Sequence, residues 1–166
     1  DISAKVHLPT LSAMKSLSLA WITDVNRERA ARVARGFAIE HVPLPDDLNA
    51  LPHTDIVLLA IPHGARVPYF DVLSRRACGV YVEKPFARTV AEHRRLCGLF
   101  PPSRLACGLQ RRSWGPTLLI KQLIASRVFG DLREARFGVG GPVIRTGGGY
   151  AIDPALAAGG RLLELG

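Results

Sequence analysis

Long apolar runs and paired cysteines are both missing from this sequence of 166 residues. No run approaches the roughly 20 apolar residues that a membrane-spanning helix needs, so we expect no membrane partner. The three cysteines are odd in number and widely spaced, which fits neither a disulfide framework nor a zinc site. Their apolar surroundings predict small core residues in a reducing, cytoplasmic setting: Cys78, Cys97 and Cys107. The five histidines show no metal-ligand spacing, and we expect no metal.

Aromatic residues make up only 7% of the chain, although its formal net charge is +8. Arginine supplies most of this charge, with 18 arginines against 4 lysines. A nucleic-acid reader should show a basic face interleaved with aromatics or a known module, and neither is present, so we expect no nucleic-acid partner. The scattered arginines favour a solvated surface, which would also suit a phosphate-bearing ligand. The apolar content of 48% is enough for a sizeable core.

Apolar runs typical of strands alternate with helical patterns in the first two thirds of the chain. Strands are predicted over residues 17–23, 56–61, 80–82 and 105–109, and helices over 26–36, 67–77 and 89–100, with a short helix over 46–51. The run 56–61 is continuously apolar, which is typical of a parallel strand buried on both faces. The alternation predicts an α/β fold with a parallel sheet covered by helices.

The pattern changes after Arg112. A helix over 116–126, a turn at Gly130-Asp131 and a strand over 132–139 are followed by a glycine-rich stretch. We therefore predict two units, residues 1–112 and a shorter, incomplete one at 113–166. The chain opens at Asp1 rather than at methionine, with no signal-peptide pattern, and we expect an internal piece of a longer protein.

The strand at 80–82 ends abruptly in Glu83-Lys84-Pro85. Open α/β sheets bind ligands and carry out chemistry at the carboxyl ends of their strands. A lysine placed there can donate a proton or hold a negatively charged group. The alternative is a surface lysine that pairs with Glu83 beside a turn proline.

The order of such signals resembles the glucose-fructose oxidoreductase / inositol dehydrogenase (Gfo/Idh/MocA-like) family of nicotinamide-dependent oxidoreductases. Residues 2–11 are similar to the helix after the family's glycine-rich loop, which often carries His/Tyr-Leu-Pro-x-Leu. Residues 24–30 look like the end of the family's second strand and the start of its next helix. Pro62-His63 falls where the family has Pro-Asn or Pro-His, and residues 82–85 match its Glu-Lys-Pro signature.

The resemblance continues to the end of the chain, with departures. Residues 130–132 resemble the turn into the family's second domain, and residues 159–166 its Gly-Gly-x-Leu-Leu-Asp-x-Gly segment, with Glu164 in place of the aspartate. Arg66 stands where the family often has histidine. The family's first strand and the Gly-x-Gly of its phosphate loop are missing, and Ser3 would hold the third, small-residue position of that loop. The missing strand would lie between the strands at 17–23 and 56–61, which would leave two unpaired edges.

The resemblance implies a Rossmann-like, doubly wound sheet without its first strand (residues 1–112) and the start of a C-terminal substrate and oligomerisation domain (113–166). It also implies an NAD-dependent oxidoreductase, with NADP possible, that transfers a hydride to or from a sugar, cyclitol or related small molecule. The complete enzyme would be a homo-oligomer. The alternative is a non-catalytic or degraded dinucleotide-binding relative.

The resemblance also assigns roles to single residues. Asp24 would accept hydrogen bonds from the adenosine ribose, unless it only caps a helix, and Arg27 is close enough to accept a 2′-phosphate. Lys84 would orient the substrate and aid proton transfer, and Glu83 would position it. The resemblance also implies cofactor contacts at Ser3, at the cleft wall (Pro62 and His63), and at Glu83 and Lys84. It implies a second catalytic carboxylate at Glu164.

Overall fold

The computed structural model describes residues 2–136 and residue 138 of the chain. Five short strands alternate with helices along it, which confirms the α/β class. The strands are β1 (Trp21–Ile22), β2 (Glu40–His41), β3 (Ile56–Leu59), β4 (Gly79–Val82) and β5 (Leu105–Cys107). The helices are α1 (Leu8–Ser12), which continues a π-helical turn over Ser3–His7, α2 (Arg27–Phe37), α3 (Val67–Leu73), α4 (Val90–Gly98) and α5 (Gly115–Ser126). Single 3₁₀ turns lie at Leu48–Ala50, His63–Ala65, Pro102–Arg104 and Gln110–Ser113.

The strands form two separate parallel sheets. One contains β1 and β2, with Trp21 opposite Glu40. The other has the order β3-β4-β5, with Ile56 opposite Gly79 and Val80 opposite Leu105. Within residues 2–136, β1 and β3 do not pair with each other, and both line one large cavity. The two unpaired edges therefore lie where the sequence predicted them.

The core lies between the three-stranded sheet and helices α3 and α4. Phe70, Val82 and Leu96 are fully buried there. The ring of Phe70 packs edge-on against Phe86 and Phe100, with ring centroids 6.0 and 5.9 Å apart. Such edge-to-face contacts stabilise aromatic clusters beyond the area they bury. This core fixes β4, whose carboxyl end carries Glu83 and Lys84.

Side-chain caps define where two helices begin. The Asn26 side chain accepts a hydrogen bond from the Arg29 amide at 2.9 Å, which agrees with the predicted helix start at residue 26. Thr89 caps α4 through the Glu92 amide at 3.1 Å. The Glu92 carboxylate accepts a hydrogen bond from the amide of Arg88 at 2.7 Å, so Glu92 also fixes the chain just before α4.

Several predicted boundaries are wrong. The predicted strand at 17–23 is regular only at Trp21–Ile22, because β1 has a partner on one side alone. Strand β2 was not predicted. Gly36 lies inside α2 instead of ending it, and the helix stops at Ala38, which has a left-handed φ of 53°. The predicted strand at 132–139 is wrong over residues 132–136, which have no regular structure, since no neighbouring strand is available to them in the described part of the chain.

Burial also differs from the prediction at two places. Strand β3 was expected to be buried on both faces, but Ile56 at its start is 57% exposed because β3 borders the cavity. Cys97 was expected in the core, but it is exposed on α4, whereas Cys78 is buried. No helix within the described ranges is long and apolar enough to cross a membrane. The division of the chain near Arg112 remains a prediction.

Candidate functional site

The carboxyl ends of three strands contribute to one cavity of about 2360 Å³. Asp24 follows β1, Pro62 follows β3 and Lys84 follows β4, and all three residues line the cavity. The alternating pattern of the sequence predicted this placement, since parallel strands end on the same side of a sheet. The cavity exceeds the 300–1,000 Å³ of an ordinary small-molecule pocket, because it also includes the gap between β1 and β3.

Asp24 is held by two local partners. Its two carboxylate oxygens accept hydrogen bonds from one Arg29 guanidinium nitrogen at 2.7 and 2.8 Å, and its Oδ1 also accepts from the Asn26 amide at 2.8 Å. Asp24 therefore shapes the turn into α2, while Asn26 caps the helix. Its side chain remains 25% exposed toward solvent, so it can still receive a ligand hydroxyl.

Tyr69 on α3 faces the same strand end. Burial raises the pKa of its phenol, and the negative charge of Asp24 raises that pKa further. The Tyr69 hydroxyl thus stays protonated at neutral pH and can act as a donor in the cavity that Asp24 also lines. Sequence reasoning missed both Tyr69 and Arg29. The signal for Arg29 was its opposite charge to Asp24, five residues earlier, at the start of a helix.

The Glu83 carboxylate is held by a residue far away in the sequence. Its Oε1 lies 2.7 Å from His7 Nε2, across 76 residues of chain, and both side chains are largely buried. Its Oε2 accepts a hydrogen bond from the Lys84 amide at 3.2 Å. Glu83 therefore links the first helix of the chain to the backbone of Lys84. The alternative that Glu83 simply pairs with the Lys84 side chain finds no support among the hydrogen bonds and ion pairs of residues 2–136.

Gly108, after β5, leaves room for this arrangement. A Cβ atom at this position would lie 2.7 Å from the Tyr81 hydroxyl and 3.1 Å from Glu83 Oε1. A side chain there would displace one of them. The Tyr81 ring in turn packs edge-on against His7, with ring centroids 5.9 Å apart. Glycine thus permits the close packing that orients the His7–Glu83 pair.

His63 is more enclosed than its predicted place in the cleft wall implies. Its side chain is 4% exposed, and Nε2 lies 3.6 Å from the Glu92 carboxylate on α4. Burial lowers the pKa of His63, and the positive charges of Arg66 and Arg88 lower it further, against the opposing effect of Glu92. The ring is therefore neutral at pH 7 and points toward α4, although parts of Pro62 and His63 line the cavity.

The remaining predicted residues are scattered. Ser3 begins the π-helical turn and lines the cavity, whereas Arg27 is exposed at the start of α2 and is not among the cavity-lining residues. Glu164 lies outside the described residues. The structure therefore brings Ser3, Asp24, Pro62, Glu83 and Lys84 to one cavity, and their individual roles remain predictions.

Comparison with known protein families identifies the family of this chain. Residues 2–107 match the profile of the oxidoreductase family with an NAD-binding Rossmann fold. The chain belongs to this family, Gfo/Idh/MocA. The matched profile is that of an NAD-binding domain. Comparison with curated protein sequences gave no match.

Solved structures that are less than 25% identical in sequence share the fold of this chain. A mutant 3-ketoreductase from Actinomadura kijaniata, in complex with TDP-benzene and NADP, is 22% identical with a TM-score of 0.68, over 80% of this chain and 42% of that one. A myo-inositol dehydrogenase from Lactobacillus casei, in complex with NAD(H) and myo-inositol, is 22% identical with a TM-score of 0.66, over 75% and 38%. One from Corynebacterium glutamicum is 24% identical with a TM-score of 0.64, over 76% and 38%. The chain spans about two fifths of the length of these proteins.

The residues present fit two parts of a nicotinamide dinucleotide. Asp24 offers a carboxylate to a ribose, and the buried Thr23 hydroxyl beside it has no hydrogen-bond partner within residues 2–136, so it can pair with the same ligand. The ends of β3 and β4 face the other part of the cavity, with Lys84 beside it. For the pyrophosphate, this sequence offers the start of its first helix but no glycine before Gly36.

Proposed function

We propose that this chain is part of an NAD(P)-dependent oxidoreductase that transfers a hydride between the nicotinamide and a hydroxyl or carbonyl group of a sugar, cyclitol or related small molecule. The observation that carries the proposal is the position of Lys84. It is the second residue after β4, lines the same cavity as Asp24, and has its amide bonded to the Glu83 carboxylate, whose other oxygen contacts His7.

The bound cofactor supplies the hydride chemistry. The chain's own residues bind and orient the reactants. Asp24 accepts hydrogen bonds from the adenosine ribose, assisted by the Thr23 hydroxyl, and Ser3 lies at the helix start that faces the pyrophosphate. Pro62 and His63 form part of the wall of the cleft at the end of β3.

Lys84 acts on the substrate. Its ammonium donates a hydrogen bond to the substrate oxygen and moves the proton that this oxygen gains or loses as the carbon is reduced or oxidised. Glu83 keeps the backbone of Lys84 in place through its bond to the amide. Glu164 is proposed as a second carboxylate in acid-base work. Its side chain is one methylene longer than that of aspartate, so the geometry must absorb this difference.

The cofactor preference follows from the charges around Asp24. A carboxylate disfavours a 2′-phosphate, but the Arg29 guanidinium neutralises part of the Asp24 charge at 2.7 Å, and Arg27 is three residues from Asp24 in the sequence. We propose NAD as the cofactor, with NADP accepted less well.

The test is substrate-dependent reduction of the nicotinamide by the complete protein, followed by absorbance with NAD or NADP and a panel of cyclitols, sugars and nucleotide sugars. Turnover with at least one polyhydroxylated substrate, lost in Lys84→Met, is the expected result. Cofactor binding without turnover on any member of the panel would favour the non-catalytic alternative. Absence of both binding and turnover would refute the proposal.

A further inference from the structure

Arg66 is buried behind the site, with only 4% of its surface exposed. Its guanidinium donates hydrogen bonds to three backbone carbonyls. Nε bonds Ile61 O at 3.0 Å, and Nη1 bonds both Glu83 O and Pro85 O at 2.5 Å. These acceptors belong to the segments that follow two neighbouring strands, β3 and β4.

Two of the three carbonyls flank Lys84. Glu83 O precedes it and Pro85 O follows it, so one guanidinium nitrogen holds the main chain on both sides of this residue. The amide of Lys84 is held separately by the Glu83 carboxylate at 3.2 Å. With both flanking peptide groups fixed, the direction in which the Lys84 side chain leaves the backbone is fixed too.

The third bond relates this segment to the neighbouring strand end. Ile61 directly precedes Pro62, which forms part of the cavity wall. Arg66 therefore fixes the distance between the wall after β3 and the lysine after β4. A planar guanidinium with five donors suits this task, because neither a lysine ammonium nor an imidazole with at most two N–H groups can serve three separated carbonyls in the same geometry.

We infer that Arg66 is a positioning residue for Lys84, which presents the lysine amine to the cavity at a constant place. The inference rests on the proposed function, in which Lys84 contacts substrate. It differs from a purely structural role, because a buried arginine that only stabilised the fold would leave the surroundings of the Lys84 amine unchanged when replaced.

The test uses the small number of lysines. Reductive ¹³C-methylation of the full chain labels its four lysines, Lys5, Lys15, Lys84 and Lys121, and the Lys84 signal is assigned by its loss in Lys84→Arg. In Arg66→Gln, we expect the Lys84 signal to move by more than its linewidth while the other three stay in place. Arg75→Gln is the matched control. Arg75 is exposed, and within the described residues its guanidinium does not bond backbone carbonyls as that of Arg66 does.

The outcomes separate the possibilities. An unmoved Lys84 signal in a folded Arg66→Gln chain with a lowered unfolding midpoint would overturn the inference and leave Arg66 a structural residue. If Arg66→Gln does not fold, Arg66→His is measured in the same way, since an imidazole keeps a hydrogen-bond donor at this place. If neither variant folds, Arg66 belongs to the fold itself and the inference is withdrawn.

A kinetic readout distinguishes this inference from the proposed function. In the complete, active protein, Arg66→Gln should lower kcat by about 10²-fold, the loss expected for a displacement near 1 Å, with little change in the KM for the cofactor. A moved Lys84 signal with normal kcat would support the positioning role and refute the catalytic role of Lys84.

Discussion

Replacing Lys84 with methionine tests the site most directly. The substitution keeps most of the stem's length and apolar surface and removes the ammonium group. The structure predicts little effect on folding, because Lys84 lines the cavity instead of the core and because Glu83 keeps its bond to His7 at 2.7 Å when the ammonium is gone. The free energy of unfolding should therefore stay within about 0.5 kcal/mol of the wild-type value.

Turnover should fall far more than stability. A positioned acid or base contributes about 10²–10⁴-fold to a rate, so the loss of transition-state stabilisation should be about 3–5 kcal/mol. It should appear in kcat, because the cofactor contacts proposed for Asp24 and Thr23 lie at another strand end. Lys84→Arg should not restore the rate, since a guanidinium is bulkier and stays protonated.

The assay is steady-state nicotinamide reduction by the complete protein, with cofactor affinity measured separately by fluorescence titration. Lys121→Met is the matched control, because Lys121 lies exposed on α5 away from the cavity-lining residues. Near-normal kcat in Lys84→Met would reduce Lys84 to a structural residue and remove the active site from the end of β4.

Three further predictions concern stability and binding. Phe70→Ala should lower the free energy of unfolding by about 3–5 kcal/mol, because loss of the fully buried ring leaves a cavity between Phe86 and Phe100. Denaturant titration measures this loss, and a loss no larger than that of the exposed Phe129→Ala would contradict the prediction. Stability should decrease as the pH falls below about 6.5, because unfolded His63 then binds a proton that the folded, buried ring with its lowered pKa does not. His63→Gln should flatten the pH dependence of the unfolding midpoint, and the exposed His53→Gln should not. If the midpoint changed with pH equally in both variants, His63 would not be the group responsible. The 166-residue chain alone should bind NADH weakly or not at all, because it lacks the glycine loop, and micromolar affinity by fluorescence titration would show that this loop matters less than expected.

The sequence by itself determined the alternation of strands and helices and the ends of the strands that carry chemistry. Local signals suffice for this. The continuous apolar run after Asp55, the abrupt stop at Glu83-Lys84-Pro85 and the cap at Asn26 each depend on neighbouring residues only. Because parallel strands end on the same side of a sheet, these local signals also placed Asp24, Pro62 and Lys84 at one cavity.

Only the tertiary structure decided which side chains support those residues. His7 reaches Glu83 across 76 residues of chain, and Arg66 reaches the carbonyls on both sides of Lys84, because helix and strand packing brings these groups together. No periodicity or spacing encodes such contacts. The same holds for the length of a strand. β1 is shorter than its apolar run because a strand is regular only where a partner accepts its hydrogen bonds, and β1 has its partner on one side.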